Sequence, residues 1–271
     1  MPELPEVETT RRGIEPHLQG RIVRALHVHN ARLRWPVDPK LPGLLRGQQV
    51  QGVERRAKYL LIRLTRGTLI MHLGMSGSLR VLPQRSPLKA HDHLDLWLDS
   101  GAALRFNDPR RFGCCLYTSG DPQQHPLLAK LAPEPLQGGF DGAYMHRVTR
   151  RRRVAIKTLL LNGRLITGVG NIYASEALFR ARIRPRRSAR SLKPAESTRL
   201  AAAIRRVLGS AIRAGGTTLR DYVNAAGMPG EFAVKLYVYE RAGAPCRRCR
   251  TPVRHITQGQ RSTYYCPECQ Q

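Results

Sequence analysis

Four cysteines stand near the end of the chain in two matched pairs, Cys246-x-x-Cys249 and Cys266-x-x-Cys269, with 16 residues between the pairs. Two such turns can each present two thiolates, and together they complete a tetrahedral zinc shell. Four protein ligands leave no open position, so the expectation is one structural Zn2+. The stretch 254–265 between the pairs reads as a β-hairpin with a polar, basic tip, where Arg261 is placed to meet a phosphate or, as one arginine among many, simply to be solvated. The other two cysteines, Cys114 and Cys115, are adjacent in a strand-like run and suit buried thiols better than a disulfide.

The second chemistry lies at the opposite end. Pro2 follows Met1, and a small second residue permits removal of the initiator, which would expose a secondary amine. Pro2 immediately precedes a helix start, whose positive dipole end disfavours an ammonium. Glu3 and Glu6 could move protons in the same region. They serve equally well as carboxylates complementing the helix dipole. Lys58, taken alone, is an exposed lysine in a strand from Arg56 to Leu64, and His91 alone is a polar surface residue. Met75 and Phe112 fit a core as well as a surface, but Gly74, Gly77 and Pro109 around them favour exposed loops.

These residues need elements to hold them. Pro5, with Val7, Ile14 and Leu18 at helical spacing, predicts an N-terminal helix. Strand-like runs follow at Ile22–Val28, Val50–Leu64, Thr68–Leu73, Ser78–Leu82, His93–Leu98, Ala103–Phe106 and Phe112–Thr118, separated by turn signals, as in a β-sandwich or barrel. Helical patterns then cover 154–161, 172–181 and 194–214, the first entered through Arg150-Arg151-Arg152-Arg153. The expected fold class is therefore α+β and multidomain. It comprises an N-terminal helix plus β-sandwich over residues 1–130, a central helical domain over 131–236, and a zinc-finger β-hairpin over 237–271.

Lys and Arg number 46 against 19 Asp and Glu, a net charge of +27. Such a chain attracts a polyanion, and nucleic acid is the usual one. An anionic membrane surface or a ribosome would be served by the same charge. No apolar run approaches the ~20 residues of a membrane helix, and the N-terminal residues do not read as a signal peptide. A cytoplasmic protein is expected.

Several longer runs carry a resemblance. Pro2-Glu3-Leu4-Pro5-Glu6-Val7-Glu8-Thr9 is similar to the N-terminus of the bacterial formamidopyrimidine-DNA glycosylase family. So are Arg55-Arg56-Ala57-Lys58-Tyr59-Leu60-Leu61, His72-Leu73-Gly74-Met75-Ser76-Gly77, His91-Asp92-His93, Asp108-Pro109-Arg110-Arg111-Phe112-Gly113, Gly168 to Glu176, and the cysteine module. They fall in the family's order along essentially the whole chain. Cys114-Cys115 departs from the pattern, which has a small residue and an aromatic there.

The resemblance implies a bifunctional base-excision-repair glycosylase and lyase. It would remove 8-oxoguanine and formamidopyrimidines from damaged double-stranded DNA, then cut the strand by β,δ-elimination. It casts Pro2 as nucleophile, Glu3 as general acid, Glu6 as proton-transfer support, Lys58 in β-elimination and Arg261 in δ-elimination. Met75, Arg110 and Phe112 match the wedge that fills the vacated stack, and His91, Arg110 and Arg152 match DNA-contacting positions. Asn171 would bind phosphate at a helix N-terminus, within a helix–two-turn–helix unit. The segment from Thr217 to about Val234 resembles the loop that closes over the extruded purine. A monomer in the bacterial cytoplasm, acting at the nucleoid, with no membrane partner and no small-molecule cofactor, is implied.

Two rivals stand against this reading, the nearer a sister family and the other of a different class. Endonuclease VIII-like glycosylases, which prefer oxidised pyrimidines, share the Pro-Glu start; Leu4, Val7 and the intact PRRF run favour the purine enzyme. A catalytically silent DNA- or ribosome-binding zinc protein would fit the composition, but not Pro2, Glu3 and Lys58 together.

Overall fold

A computed structural model describes residues 2–217 and 236–271. The chain divides into two compact units, Met1–Ala129 with Ala214–Ala233, and Lys130–Arg213 with Val234–Gln271. Most of the expected purine-closing loop, residues 218–235, lies outside the described residues.

The first unit begins with helix α1 (Leu4–Leu18). Pro5 occupies its first turn, where a missing N–H costs nothing. Glu3 is the N-cap. Its side chain accepts the Glu6 N–H while the Glu6 carboxylate accepts the Glu3 N–H at 2.8 Å, a reciprocal capping box. Val7, Ile14 and Leu18 point from α1 into the main core.

Two four-stranded antiparallel sheets share that core. One has the order β1-β6-β7-β5, from β1 (Val23–Val28), β5 (Ser78–Pro83), β6 (Asp92–Leu98) and β7 (Ala102–Asn107). The other is β2-β3-β4-β8, from β2 (Val50–Arg56), β3 (Tyr59–Leu64), β4 (Gly67–His72) and β8 (Cys114–Thr118). A short helix, α2 (Leu41–Leu45), adds Leu41 and Leu45 to the core. Leu60, Ile62 and Leu64 alternate into it from β3, and Leu94, Leu96 and Leu98 do so from β6. Truncating one such buried leucine costs about 2–5 kcal/mol. The result is a β-sandwich with α1 packed on it.

One expectation fails at a point that matters. The run Val50–Leu64 is not a single strand, and Lys58 is not within one. Arg56 pairs with Tyr59, so Ala57 and Lys58 form a two-residue turn between β2 and β3. No Gly, Asn or Pro signals that turn. Ala57 takes the left-handed conformation at φ 55° with its methyl buried, and its carbonyl accepts from Arg55 Nη1 at 3.0 Å. Tertiary contacts hold a turn that local sequence does not announce.

The second unit is helical: α3 (Gly142–Thr149), α4 (Ile156–Leu160), α5 (Asn171–Ala181) and α6 (Pro194–Arg213). The pattern missed α3, which is capped by Asp141 accepting from Tyr144 N at 2.7 Å. The four arginines therefore follow one helix rather than simply opening the next, which starts only at Ile156. Leu200, Ile204, Val207, Leu208 and Ala211 form the buried stripe of α6, which packs against α3 and α5. The chain ends in the hairpin β9 (Arg254–Gln258) and β10 (Arg261–Tyr265). Gly259 and Gln260 both have positive φ, the geometry a tight two-residue hairpin turn demands. Among the described residues, no helix is long and apolar enough to cross a membrane.

Candidate active site and zinc module

In the first unit Pro2, Glu3 and Glu6 are all buried at the start of α1. The Glu6 carboxylate is a junction. Oε2 takes the Glu3 N–H, and Oε1 takes the Thr217 N–H at 2.8 Å. Gly216, at φ 84°, lies so near Glu6 that a Cβ there would sit 3.2 Å from its carboxylate. Glu6 thereby ties the entry of α1 to the start of the returning segment.

Five residues into α1, Glu8 gathers three guanidinium groups, from Arg11, Arg12 and Arg55. Burial alone would raise its pKa, but those arginines hold the carboxyl below its usual value. Arg55 also grips the Ala57 carbonyl, the residue before Lys58. Helix α1 and the Lys58 turn are thus clasped by one side chain.

His72, at the end of β4, sits beside this turn. Burial, then the charges of Lys58 and Arg34, push its pKa down to about 4, so it is neutral at pH 7. Its Nδ1 accepts the Gly74 N–H at 3.0 Å, and Tyr59 lies over its ring at 4.8 Å.

Asp108 organises the exposed loops. It is fully buried. Oδ2 accepts the Gly113 N–H at 2.8 Å, and Oδ1 accepts from Ser76 Oγ and Arg110 N, both at 3.3 Å. Its own N–H donates to the His91 carbonyl at 3.0 Å, and its carbonyl lies 2.8 Å from His93 Nε2. One aspartate thereby fixes the loops of Met75, His91 and Arg110–Phe112. Gly74, at φ 64°, lets the first and third approach: a Cβ there would meet Gly113 N at 2.5 Å. On this frame Met75 and Phe112 are exposed, and the Arg110 guanidinium stacks 5.1 Å from the Phe112 ring. His91 is exposed, with φ 69°.

In the second unit the hairpin is anchored at Ser262, next to Arg261. The Ser262 carbonyl accepts from Asn171 Nδ2 and from Lys157 Nζ, both at 2.9 Å. Lys157 also donates to Thr263 Oγ1 at 2.8 Å. Arg261 itself is exposed beside the turn. Asn171, whose backbone opens α5, thus donates its amide N–H groups to the hairpin carbonyl and, at 3.3 Å, to Tyr239 Oη. Arg152 is half-buried, its Nη1 donating to the Val148 carbonyl at 2.6 Å at the end of α3.

Sequence reading passed over Lys157, Glu8, Arg55 and Asp108. Lys157 carried one usable signal, a lysine within the apolar run 154–161. Glu8 and Arg55 lay inside quoted motifs, but nothing local links two residues 47 apart.

The four C-terminal cysteine sulfurs lie within 4.8 Å of one another. Cys249 and Cys266 are 3.4 Å apart, and Cys246 and Cys269 4.0 Å. Zinc–sulfur bonds of about 2.3 Å in a tetrahedron require sulfurs about 3.8 Å apart, so the donor set fits. The Arg248 N–H points at Cys246 Sγ and the Cys269 N–H at Cys266 Sγ, both at 3.4 Å. Such bonds stabilise thiolate charge. The module holds one structural Zn2+.

Family models match along the chain: the formamidopyrimidine-DNA glycosylase N-terminal domain over residues 1–115, that family's H2TH domain over 131–223, and the zinc finger found in FPG and IleRS over 243–271. The chain belongs to the formamidopyrimidine-DNA glycosylase family. Formamidopyrimidine-DNA glycosylases from Thioalkalivibrio sulfidiphilus and Methylococcus capsulatus are 58% and 53% identical to it, each over 100% of both chains. Among solved structures, a variant of the Lactococcus lactis glycosylase in complex with Fapy-dG-containing DNA superposes with a TM-score of 0.93 at 33% identity, covering 100% of both chains. The Thermus thermophilus glycosylase gives 0.89 at 42%, covering 99% of this chain and 98% of that one. Membership of the formamidopyrimidine-DNA glycosylase family makes the protein a DNA-repair glycosylase.

Proposed function

We propose that the protein excises oxidised purines, 8-oxoguanine and formamidopyrimidines, from duplex DNA and then cleaves the strand as a lyase. The observation that carries this reading is the clasp from α1 through Glu8 and Arg55 to the Lys58 turn, which sets an amine-bearing terminus and a lysine in one rigid frame.

Once Met1 is removed, the Pro2 nitrogen attacks C1′ of the damaged nucleoside. The C–N bond forms as the glycosidic bond breaks, and the base leaves with the bonding pair. Glu3 supplies the proton for ring opening and base loss, and Glu6 holds the helix entry and supports that transfer. A secondary amine yields an iminium that is cationic without protonation. It acidifies the C2′ proton, so loss of that proton expels the 3′ phosphate, with Lys58 assisting. Arg261 assists the second elimination, which expels the 5′ phosphate. The lesion must leave the stack for its sugar to be reached. Met75 and Phe112 fill the gap, and Arg110 faces the orphaned base. His91, Arg152 and the backbone at Asn171 hold phosphates.

The N-terminal domain 1–130, the DNA-binding domain 131–236 and the zinc finger 237–271 divide the work in this reading. The protein acts as a monomer in the bacterial cytoplasm on damaged duplex DNA, without a membrane or small-molecule cofactor.

The test is borohydride trapping on an 8-oxoguanine duplex. A covalent adduct is expected, and Pro2→Gly should lose both adduct and nicking while still binding the duplex. Full nicking by that variant would overturn the proposal. A duplex carrying thymine glycol, excised faster than 8-oxoguanine, would favour the pyrimidine-directed rival instead.

A further inference from the structure

The second unit contains a concavity of about 520 Å³ lined by the end of α5, the middle of α6 and the first zinc knuckle. Five of its nine lining residues are arginines and none is acidic. The 46 Lys and Arg of the 271-residue chain, spread evenly, would place far fewer there. The adjoining groove shares Arg199 and Arg248 but contains Glu196 and Glu268. In that groove Arg187 forks onto Glu196 through two bonds of 2.6 Å. Compensation thins at the border: Arg199 lies 3.9 Å from Glu196 and the charge of Arg180 reaches the buried Glu176 carboxyl, whose pKa burial raises, while Arg206 and Arg248 make no ion pair among the described residues.

The arginines are set against an aromatic pair. Phe179 and Tyr237 stack at 5.4 Å and 28°. The guanidinium groups of Arg180 and Arg247 lie 5.0 and 5.9 Å from the Tyr237 ring. Stacking on a ring orders a guanidinium and leaves its in-plane N–H groups for an acceptor. The Arg180 Nε is buried and has no hydrogen-bond partner among the described residues.

Like charges gathered in a concavity repel one another and focus their field on an incoming anion. Guanidinium forks match phosphate oxygens in pairs. A chain of two or three phosphates concentrates several negative charges in a few ångströms. An acidic peptide brings one charge per residue and would need a run of carboxylates longer than this pocket. Ala202, Ala203 and the Phe179–Tyr237 pair supply the apolar wall on which a base can rest.

We propose that this pocket binds a nucleoside di- or triphosphate, with the arginines on the phosphate chain. It uses none of the residues assigned above to excision, so it constitutes a second ligand site on the enzyme.

Calorimetric titration of the zinc-loaded, full-length protein without DNA tests this, with deoxyguanosine triphosphate, deoxyguanosine monophosphate and a hexaglutamate peptide as probes. The triphosphate should bind at least tenfold more tightly than the monophosphate or the peptide. Arg206→Ala should weaken it at least tenfold while leaving cleavage of the lesion duplex unchanged. Arg206 is exposed on α6, remote in sequence from the cysteines, and an unchanged melting temperature would exclude misfolding. Arg180→Ala should act in the same direction, and Arg261→Ala should not. Three results would overturn the site: undiminished triphosphate binding by both pocket variants, loss of binding only in Arg261→Ala, or a peptide that binds as tightly as the triphosphate.

Discussion

Arg55 donates from Nε to Glu8 Oε2 at 3.0 Å, joining strand β2 to helix α1 three residues before Lys58. Removing that guanidinium takes one of three guanidinium partners from the mostly buried Glu8 carboxylate and one hydrogen bond from the Ala57 carbonyl. Because Glu8 keeps Arg11 and Arg12, Arg55→Ala should cost on the order of 2 kcal/mol in urea unfolding. Misplacement of Lys58 should lower strand cleavage about 10- to 100-fold, with duplex affinity and borohydride trapping nearly unchanged. Arg55→Lys, which keeps the charge and loses the fork, should restore little of the rate. Wild-type strand cleavage by Arg55→Ala would show that the clasp does not position the turn.

The pH dependence of stability should contain a segment due to His72. Its folded-state pKa is about 4 against an ordinary 6.5. Between these values the unfolded chain binds a proton that the folded protein refuses, so stability must fall as pH drops from about 6.5 towards 4. His72→Gln should flatten that part of the curve. An unchanged slope in the variant would mean that other groups produce it. Glu8 acts in the same direction at lower pH: its carboxyl is held below the usual 4.5, so its contribution is present above that value and is lost on further acidification.

Lys157 is buried on α4 and reaches the hairpin 105 residues on. Lys157→Met should remove about 2 kcal/mol of stability and speed hydrogen exchange at residues 261–265. Because Arg261 adjoins the anchored Ser262, products should shift from double elimination towards β-elimination alone while base release continues. Unaltered exchange at the hairpin would refute the anchoring role.

The six cysteines should fall into two chemical classes. Burial pushes the Cys114 thiol up to about 12 and the Cys115 thiol further up, so neither offers thiolate to a reagent. Chelation of zinc should therefore expose four reactive thiols, and the remaining two should titrate only on unfolding. Six fast-reacting thiols in folded apoprotein would contradict the buried placement of that pair.

Some of this architecture is written locally. The two CxxC pairs specify their own ligand geometry, because each turn needs only four consecutive residues. Pro5, Glu3 and Glu6 specify the start of α1 for the same reason: a capping box closes within one helical turn. Alternating leucines in β3 and β6 mark their inward faces whatever lies opposite. The turn at Ala57–Lys58 was not legible, since alanine carries no turn signal and its left-handed backbone is held by Arg55. Nor was α3, whose short, mixed pattern gains its buried face from α6.

The sequence by itself determined the ligands of the metal, the first turn of α1 and the alternation of the strands, each a matter of neighbours within a few residues. Only the tertiary structure decided that Glu8 meets Arg55, that Asp108 binds three loops together and that Lys157 and Asn171 converge on one carbonyl. Those are pairings between distant positions. Their geometry arises when packed sheets and helices bring polar groups out of water and leave each needing a partner.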